Sequence, residues 1–101
     1  MLNDADIDRL FHAALTAQRA AYAPYSGFKV GAALLCEDGA VFSGCNVENA
    51  AYPQGACAEA GAISAMALAG RRSVRAALVL GEGAALTTPC GGCRQKLREF
   101  A

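Results

Sequence analysis

The chain is 101 residues long, enough for one small domain, and 54% of its residues are hydrophobic while 18% are charged. This composition favours a packed globular core and excludes a disordered polypeptide. Nine basic and nine acidic residues give a formal net charge of zero, so the chain lacks the positive surface that a nucleic-acid polymer requires. No apolar run could cross a bilayer, and the first residues do not resemble a secretory signal. We therefore expect a cytoplasmic protein, away from membranes, with a small neutral ligand.

The first half of the chain predicts a helix followed by a β-hairpin. Hydrophobic residues at helical spacing indicate a helix from Asp4 to about Tyr22. Residues 28–36 are mostly apolar, which indicates a strand buried on both faces. A turn over residues 37–39 and a second strand over 41–45 complete the hairpin. The polar residues 46–49 follow at a strand end, a position where functional sites are often built.

The second half predicts two helices separated by a strand. Residues 57–69 form a helix of mainly small residues, and residues 74–80 form an apolar strand. The last helix would begin with Thr88 as N-cap and Pro89 as its first residue. The order α-β-β-α-β-α predicts one sheet with helices on its faces, within a single domain spanning 1–101. Because an apolar third strand would ordinarily be covered, we expect a partner chain or a longer native polypeptide over it.

The five cysteines fall into two groups. An odd number in a chain without a secretory signal argues against a disulfide framework. Cys36 and Cys45 lie within apolar strand patterns, which is typical of small buried hydrophobic residues. Cys57, Cys90 and Cys93 instead lie at predicted helix starts, where the thiolate form is favoured. These three thiols are therefore the candidates for chemistry.

Cys57, Cys90 and Cys93 could together hold a zinc ion if both helices begin at one edge of the sheet. Zinc binds thiolates well, and a catalytic zinc keeps three protein ligands with its fourth position open for water. Glu59, two residues after the first thiol, could move a proton between that water and a substrate. Zinc with three thiolates carries a net charge of −1, and two helix N-termini would offset about one unit.

Other interpretations of these residues stay open. The Cys-Gly-Gly-Cys sequence at 90–93 by itself fits a redox pair of the thioredoxin type. A structural zinc would need a fourth ligand, for which Cys36, Cys45 or His12 remain. Glu59 could be an ordinary acidic residue in the first turn of a helix. The catalytic interpretation is preferred because it alone uses the three thiols and the carboxylate together.

The motifs around these residues resemble those of a known family. Cys-Ala-Glu at 57–59 and Pro-Cys-Gly-Gly-Cys-Arg-Gln at 89–95 are similar to the cytidine deaminases, in their three-cysteine, homotetrameric zinc form. The similarity continues through Ala-Pro-Tyr-Ser at 23–26, Phe-Lys-Val-Gly-Ala-Ala at 28–33 and Asn-Val-Glu-Asn-Ala at 46–50. It therefore covers nearly the whole chain.

This resemblance implies a fold and an activity. The fold would be α/β, with α/β/α layers around one mixed β-sheet, and the chain would lack the last strands and helix of the family. The activity would be zinc-dependent hydrolytic deamination of cytidine and deoxycytidine to uridine and deoxyuridine, with ammonia release, in pyrimidine salvage. One zinc ion per chain and a homotetramer would accompany it. Two alternatives stay open: deamination of another aminopyrimidine nucleoside, such as a nucleoside antibiotic, and a non-catalytic zinc or redox module.

The resemblance also implies roles for individual residues. Cys57, Cys90 and Cys93 would be the zinc ligands, and Glu59 would be the proton shuttle. The substrate would be bound by the Phe28 ring lining the pocket, by Asn46 and Glu48 at the ribose hydroxyls, and by the backbone of Ala58 at the base carbonyl.

Overall fold

The computed structural model describes the backbone of residues 2–82 and 91–101 and the side chains of residues 2–82 and 95–101. Its elements are helix α1 (Asp4–Arg19), strands β1 (Val30–Cys36) and β2 (Val41–Cys45), a short 3-10 helix (Tyr52–Gln54), helix α2 (Ala58–Leu68), strand β3 (Val74–Gly81) and helix α3 (Gly91–Phe100). The predicted order of helices and strands is confirmed. The predicted N-cap and first residue of the last helix, Thr88 and Pro89, lie outside the described residues.

The three strands form one sheet with the order β2-β1-β3. The predicted hairpin is confirmed, with Gly31 opposite Cys45 and Leu35 opposite Val41. β3 also runs antiparallel to β1. Within the described part of the chain, the only parallel pairing is an isolated bridge between Tyr22 and Val47. The sheet among these three strands is therefore antiparallel, and the strands that would make it mixed are not among them.

Helices cover both faces of the sheet, as the layered α/β prediction requires. On one face, Leu10 and Ala14 of α1 pack in one cluster with Ala33 and Leu35 of β1. On the other face, α2 contributes Ala62 and Met66 to a cluster with Leu34 and Cys36, and α3 adds Leu97 and Phe100. Every residue from 31 to 36 in β1 is buried, which confirms the prediction for the central strand.

β3 lies at one edge of this sheet. Among the described residues it pairs only with β1, and none of its eight residues is fully buried. The expected one-sided pairing is thus observed there. What covers the other side stays a prediction. No helix in the described ranges is long and apolar enough to cross a membrane.

Helix α1 ends three residues earlier than the sequence predicts. It stops at Arg19, with Ala20 as its C-cap. Tyr22 instead runs alongside the residues that follow β2: its N–H donates to the carbonyl oxygen of Asn46 at 3.0 Å, and its own carbonyl accepts from Glu48 N–H at 2.8 Å. These contacts bring the end of the first helical segment beside the predicted ribose-binding residues.

Strand β1 begins at Val30, two residues later than predicted. The backbone N–H groups of Phe28 and Lys29 donate to the side chains of Ser26 and Glu82, at 3.0 and 2.7 Å, instead of to a neighbouring strand. The sheet ladder therefore starts only after them, and residues 25–29 form an irregular segment at the sheet edge.

Candidate active site

One cavity of about 730 Å³ lies where segment 25–30, the residues after β2 and the start of α2 meet. Its size is in the range of small-molecule binding sites. Val30 from β1 and Val79 from β3 also contribute to its wall. Six residues predicted from the sequence line it, namely Phe28, Asn46, Glu48, Cys57, Ala58 and Glu59. The fold thus brings together every predicted site residue whose side chain it describes.

Cys57 is the N-cap of α2. Its backbone is extended, with φ −79° and ψ 156°, and its carbonyl oxygen accepts from Gly61 N–H at 3.2 Å. Cys57 is exposed and lines the cavity at the start of the helix, where the positive end of the helix dipole favours a thiolate. Ala58 follows as the first helical residue, and first-turn N–H groups have no intrahelical partner. Both residues therefore present chemistry suited to an anion or a polar ligand.

Glu59 is the only buried charged side chain among the described residues, with 4% of its surface exposed. It lies in the first turn of α2 and lines the cavity, so its remaining exposure is toward that space. Burying a carboxylate costs free energy, and charged side chains are rarely fully buried unless they are paired or coordinate a metal. Its burial opposes the interpretation as an ordinary, solvated first-turn acid.

Asn46 uses its side-chain amide to hold the start of β1. Its Oδ1 accepts from Val30 N–H at 2.8 Å, and its Nδ2 donates to the carbonyl oxygen of Phe28 at 2.9 Å. One amide proton and one lone pair remain on the side chain. Asn46 thus fixes the backbone at Phe28 and Val30. Its side chain can still form hydrogen bonds with one further polar group in the cavity.

Glu48 makes three hydrogen bonds to the residues just before Phe28. Its Oε1 accepts from the N–H groups of Tyr25 at 2.9 Å and Ser26 at 3.0 Å, and its Oε2 accepts from the Ser26 hydroxyl. The Ser26 hydroxyl and N–H, followed by the Tyr25 N–H, lower the pKa of Glu48, while partial burial opposes them. The carboxylate is therefore ionised at neutral pH. A lone pair on Oε2 remains for a ligand hydroxyl.

Ser26 and Glu82 also shape the site, although no pattern in the sequence predicts this role for either residue. Ser26 links Glu48 to Phe28 N–H, and Glu82, at the end of β3, accepts from Lys29 N–H. Ser26 has two sequence signals: its place in the Ala-Pro-Tyr-Ser motif of the family resemblance, and the turn-like character of that stretch before Gly27. Glu82 carried no signal, because its partner is 53 residues away.

Sequence comparisons identify the family of this chain. A family model described as "Cytidine and deoxycytidylate deaminase zinc-binding region" matches residues 4–101. A cytidine deaminase of Sporosarcina psychrophila is 44% identical over 95 residues, covering 94% of this chain and 70% of that protein. One from Mycobacterium tuberculosis is 46% identical over 97 residues, covering 95% and 72%. The chain belongs to the cytidine deaminase family.

Solved cytidine deaminases have the same fold. The crystal structure of the Burkholderia pseudomallei enzyme has a TM-score of 0.86 and 49% identity, covering 92% of this chain and 75% of that one. The Mycobacterium leprae structure has a TM-score of 0.88 and 41% identity, covering 96% and 82%. These likenesses confirm the predicted fold class and the predicted class of enzyme, a zinc-dependent cytidine deaminase. This chain is shorter than both solved proteins.

The zinc-binding description of the family supports zinc as the cofactor of this cytidine deaminase. Of the three predicted ligands, Cys57 is in the cavity wall, Cys90 lies outside the described residues, and Cys93 is in α3 but its side chain lies outside the described part. No cluster of three potential ligands occurs among the side chains that are described. The ligand set thus stays a prediction.

The described lining of the cavity is acidic. Glu48 and Glu59 line it, whereas no lysine or arginine is among the described lining residues. An anionic phosphate would meet two carboxylates there and, among the described lining residues, no lysine or arginine. The alternative fourth ligands for a structural zinc lie elsewhere: Cys36 is buried in the core, His12 is exposed on α1, and Cys45 is half-buried in β2.

Proposed function

We propose that this chain catalyses the zinc-dependent hydrolytic deamination of cytidine and deoxycytidine to uridine and deoxyuridine. The observation that carries the proposal is Glu59, a carboxylate 4% exposed that lines the same cavity as Cys57, Asn46 and Glu48. That combination suits a reaction in which protons move within a site that also binds polyhydroxylated ligands. The sequence relatives, cytidine deaminases over more than nine tenths of this chain, support the same substrate.

The residues of this site fit a zinc ion. A thiol at the N-cap of α2 suits a soft metal, and the sequence places two more thiols at 90 and 93, around the start of α3. Cys57, Cys90 and Cys93 would hold one ion per chain. Bound there, zinc would lower the pKa of water and so supply a nucleophile at neutral pH.

Glu59 would move the protons of the reaction. Water adds at the ring carbon that bears the amino group, and Glu59 accepts a proton from it and passes that proton to the adjacent ring nitrogen. A second proton transfer to the amino group lets ammonia leave, so one water is consumed for each ammonia released. Because the carboxylate is almost fully buried, bulk water would not compete for these protons.

The remaining residues would bind and orient the nucleoside. The Phe28 ring, 42% exposed, would stack on the pyrimidine, and the Ala58 N–H would donate to the base carbonyl. Asn46 and Glu48 keep free hydrogen-bonding capacity that suits the ribose hydroxyls. The carboxylates favour a nucleoside over a nucleotide, although the family description includes deoxycytidylate.

The test is turnover of four substrates by the zinc-loaded protein: cytidine, deoxycytidine, cytidine 5′-phosphate and cytosine. We expect loss of the cytidine absorbance band with equimolar ammonia, and kcat/KM at least about 100-fold lower for the phosphate, because it faces two carboxylates. A protein that binds zinc but releases no ammonia from cytidine or deoxycytidine would contradict the proposal. Such a result would favour a different aminopyrimidine nucleoside or a non-catalytic zinc or redox module.

The homotetramer, the cytoplasmic location, the role in pyrimidine salvage and the single domain over 1–101 are further parts of this proposal. They rest on the family resemblance. Exposed aromatic residues near the cavity, Tyr22, Tyr25 and Tyr52, are compatible with subunit contacts. Sedimentation of the zinc-loaded protein would test the oligomeric state.

A further inference from the structure

The segment 25–30 forms the cavity wall that carries Phe28, yet it belongs to neither a helix nor, before Val30, a strand. Five of its six backbone N–H groups donate to side chains: those of residues 25 and 26 to Glu48, and those of 28, 29 and 30 to Ser26, Glu82 and Asn46. The sixth, from Gly27, donates to the Ala23 carbonyl. The shape of this wall therefore depends on a few polar side chains.

Ser26 is the centre of this network. Its N–H and its hydroxyl donate to the two oxygens of Glu48, and the same hydroxyl oxygen accepts from Phe28 N–H at 3.0 Å. Its hydroxyl is thus the one group that joins the Glu48 carboxylate to the backbone of Phe28. Hydrogen bonds to an ionised carboxylate are shorter and stronger than those between neutral groups.

Phe28 needs such a link because packing alone does not hold it. With 42% of its surface exposed, its ring is not locked in the core. The preceding residue, Gly27, has φ +71°, a left-handed conformation that glycine adopts readily. The direction in which the ring points is therefore set by the hydrogen bonds on its backbone, from Ser26 on one side and Asn46 on the other.

We propose that Ser26 is a positioning residue that aims Phe28 into the cavity by linking the Glu48 carboxylate to the Phe28 backbone. This inference rests on the proposed function for its catalytic consequence. Glu48, which would bind the ribose, would also act through Ser26 to set the orientation of the Phe28 ring that stacks on the base. Substrate affinity would depend on Ser26 although Ser26 need not touch the substrate.

The kinetic test is a double-mutant cycle between Ser26→Ala and Phe28→Ala, measured with cytidine. Loss of the hydroxyl link should raise KM about 3- to 10-fold with kcat changed less than about 2-fold, the size expected for one hydrogen bond. In the Phe28→Ala background, Ser26→Ala should change KM less than about 2-fold, because there is no ring to orient. Ser26→Thr keeps the hydroxyl at an exposed position, so the KM of this variant should equal that of the parent protein.

The proposal would be overturned if Ser26→Ala changed KM equally in the parent and in the Phe28→Ala protein. It would also be overturned if the Ser26→Thr protein had the raised KM of the Ser26→Ala protein. Ser64→Ala is the matched control, because Ser64 is exposed on α2 and does not line the cavity. It should leave KM unchanged within about 2-fold.

A second measurement does not depend on activity. The chain contains no tryptophan, so Phe28→Trp introduces a single fluorescent reporter at the ring position. In this background, Ser26→Ala should increase acrylamide quenching of the tryptophan, whereas Ser26→Thr and Ser64→Ala should not. Unchanged quenching would show that Ser26 does not position the ring, even if cytidine is turned over. Increased quenching in a protein that does not deaminate cytidine would support the positioning and reject only the proposed substrate.

Discussion

Gly44 in β2 and Ala62 in α2 are packed backbone to backbone. A β-carbon on Gly44 would lie 2.3 Å from the amide nitrogen of Ala62 and 2.5 Å from the carbonyl oxygen of Ala58, distances that no side chain can occupy. This close approach sets the height of α2 above the sheet. It thereby places the start of the helix, with Cys57 and Glu59, beside the residues that follow β2.

Gly44→Ala should therefore destabilise the protein by about 1–3 kcal/mol or more, since the added methyl group must push strand and helix apart. The displacement should also lower kcat/KM for cytidine, because it moves Glu59 relative to Asn46. Urea unfolding measures the first effect. Gly61→Ala is the control: its β-carbon would meet its nearest neighbour at 3.5 Å, an ordinary contact, and alanine favours a helix interior. Equal destabilisation by both substitutions would contradict this account.

Glu59→Gln should keep the fold and reduce turnover of cytidine by about 10²- to 10⁴-fold, the usual contribution of a positioned acid–base group. Glutamine has the same shape but cannot carry a proton between water and the base. Steady-state kinetics, with zinc content determined on the same sample, checks the prediction. Glu99→Gln, on the exposed surface of α3, should have no effect on turnover. A Glu59→Gln protein with most of its activity would show that another group moves the proton.

Cys57→Ala should lose bound zinc and stability together, because metal binding contributes free energy only to the folded state. For the unmodified protein we expect about one zinc per chain by atomic absorption, and a lower melting temperature after treatment with a chelator. Cys45→Ala removes a thiol in β2 that does not line the cavity, so it should keep its zinc. Full zinc content in the Cys57→Ala protein would exclude Cys57 from the ligand set.

Glu48→Gln should destabilise the protein in a pH-dependent way. The pKa of Glu48 is lowered from 4.5 in the folded protein by Ser26 and Tyr25, so its carboxylate favours folding when it is ionised. That contribution is present above about pH 4.5 and is lost as the pH falls through the lower folded pKa. The unfolding midpoints of parent and variant in urea should therefore differ at pH 7, and the difference should shrink as the pH falls below about 4.5. A constant difference between them would mean that the charge of Glu48 has no role.

Much of the site could be predicted from the sequence, because its chemistry depends on residues that are close in the chain. The pairing of Cys57 with Glu59 at the start of a helix follows from local patterning, and the structure places both in the cavity wall. The β1–β2 hairpin follows equally from the alternation of apolar runs and a Gly-containing turn.

The sequence alone determined which short segments become helices, strands and turns, since periodicity, caps and turn residues act over a few positions. Tertiary structure decided where those elements end and how the cavity wall is held. Helix α1 stops at Arg19 because Tyr22 pairs with Asn46 and Glu48, and the wall before Val30 is shaped by Glu82, far along the chain. Ser26 belongs to the same class: its partner Glu48 is 22 residues away, and neither composition nor spacing encodes a hydrogen bond that only the folded chain brings within reach.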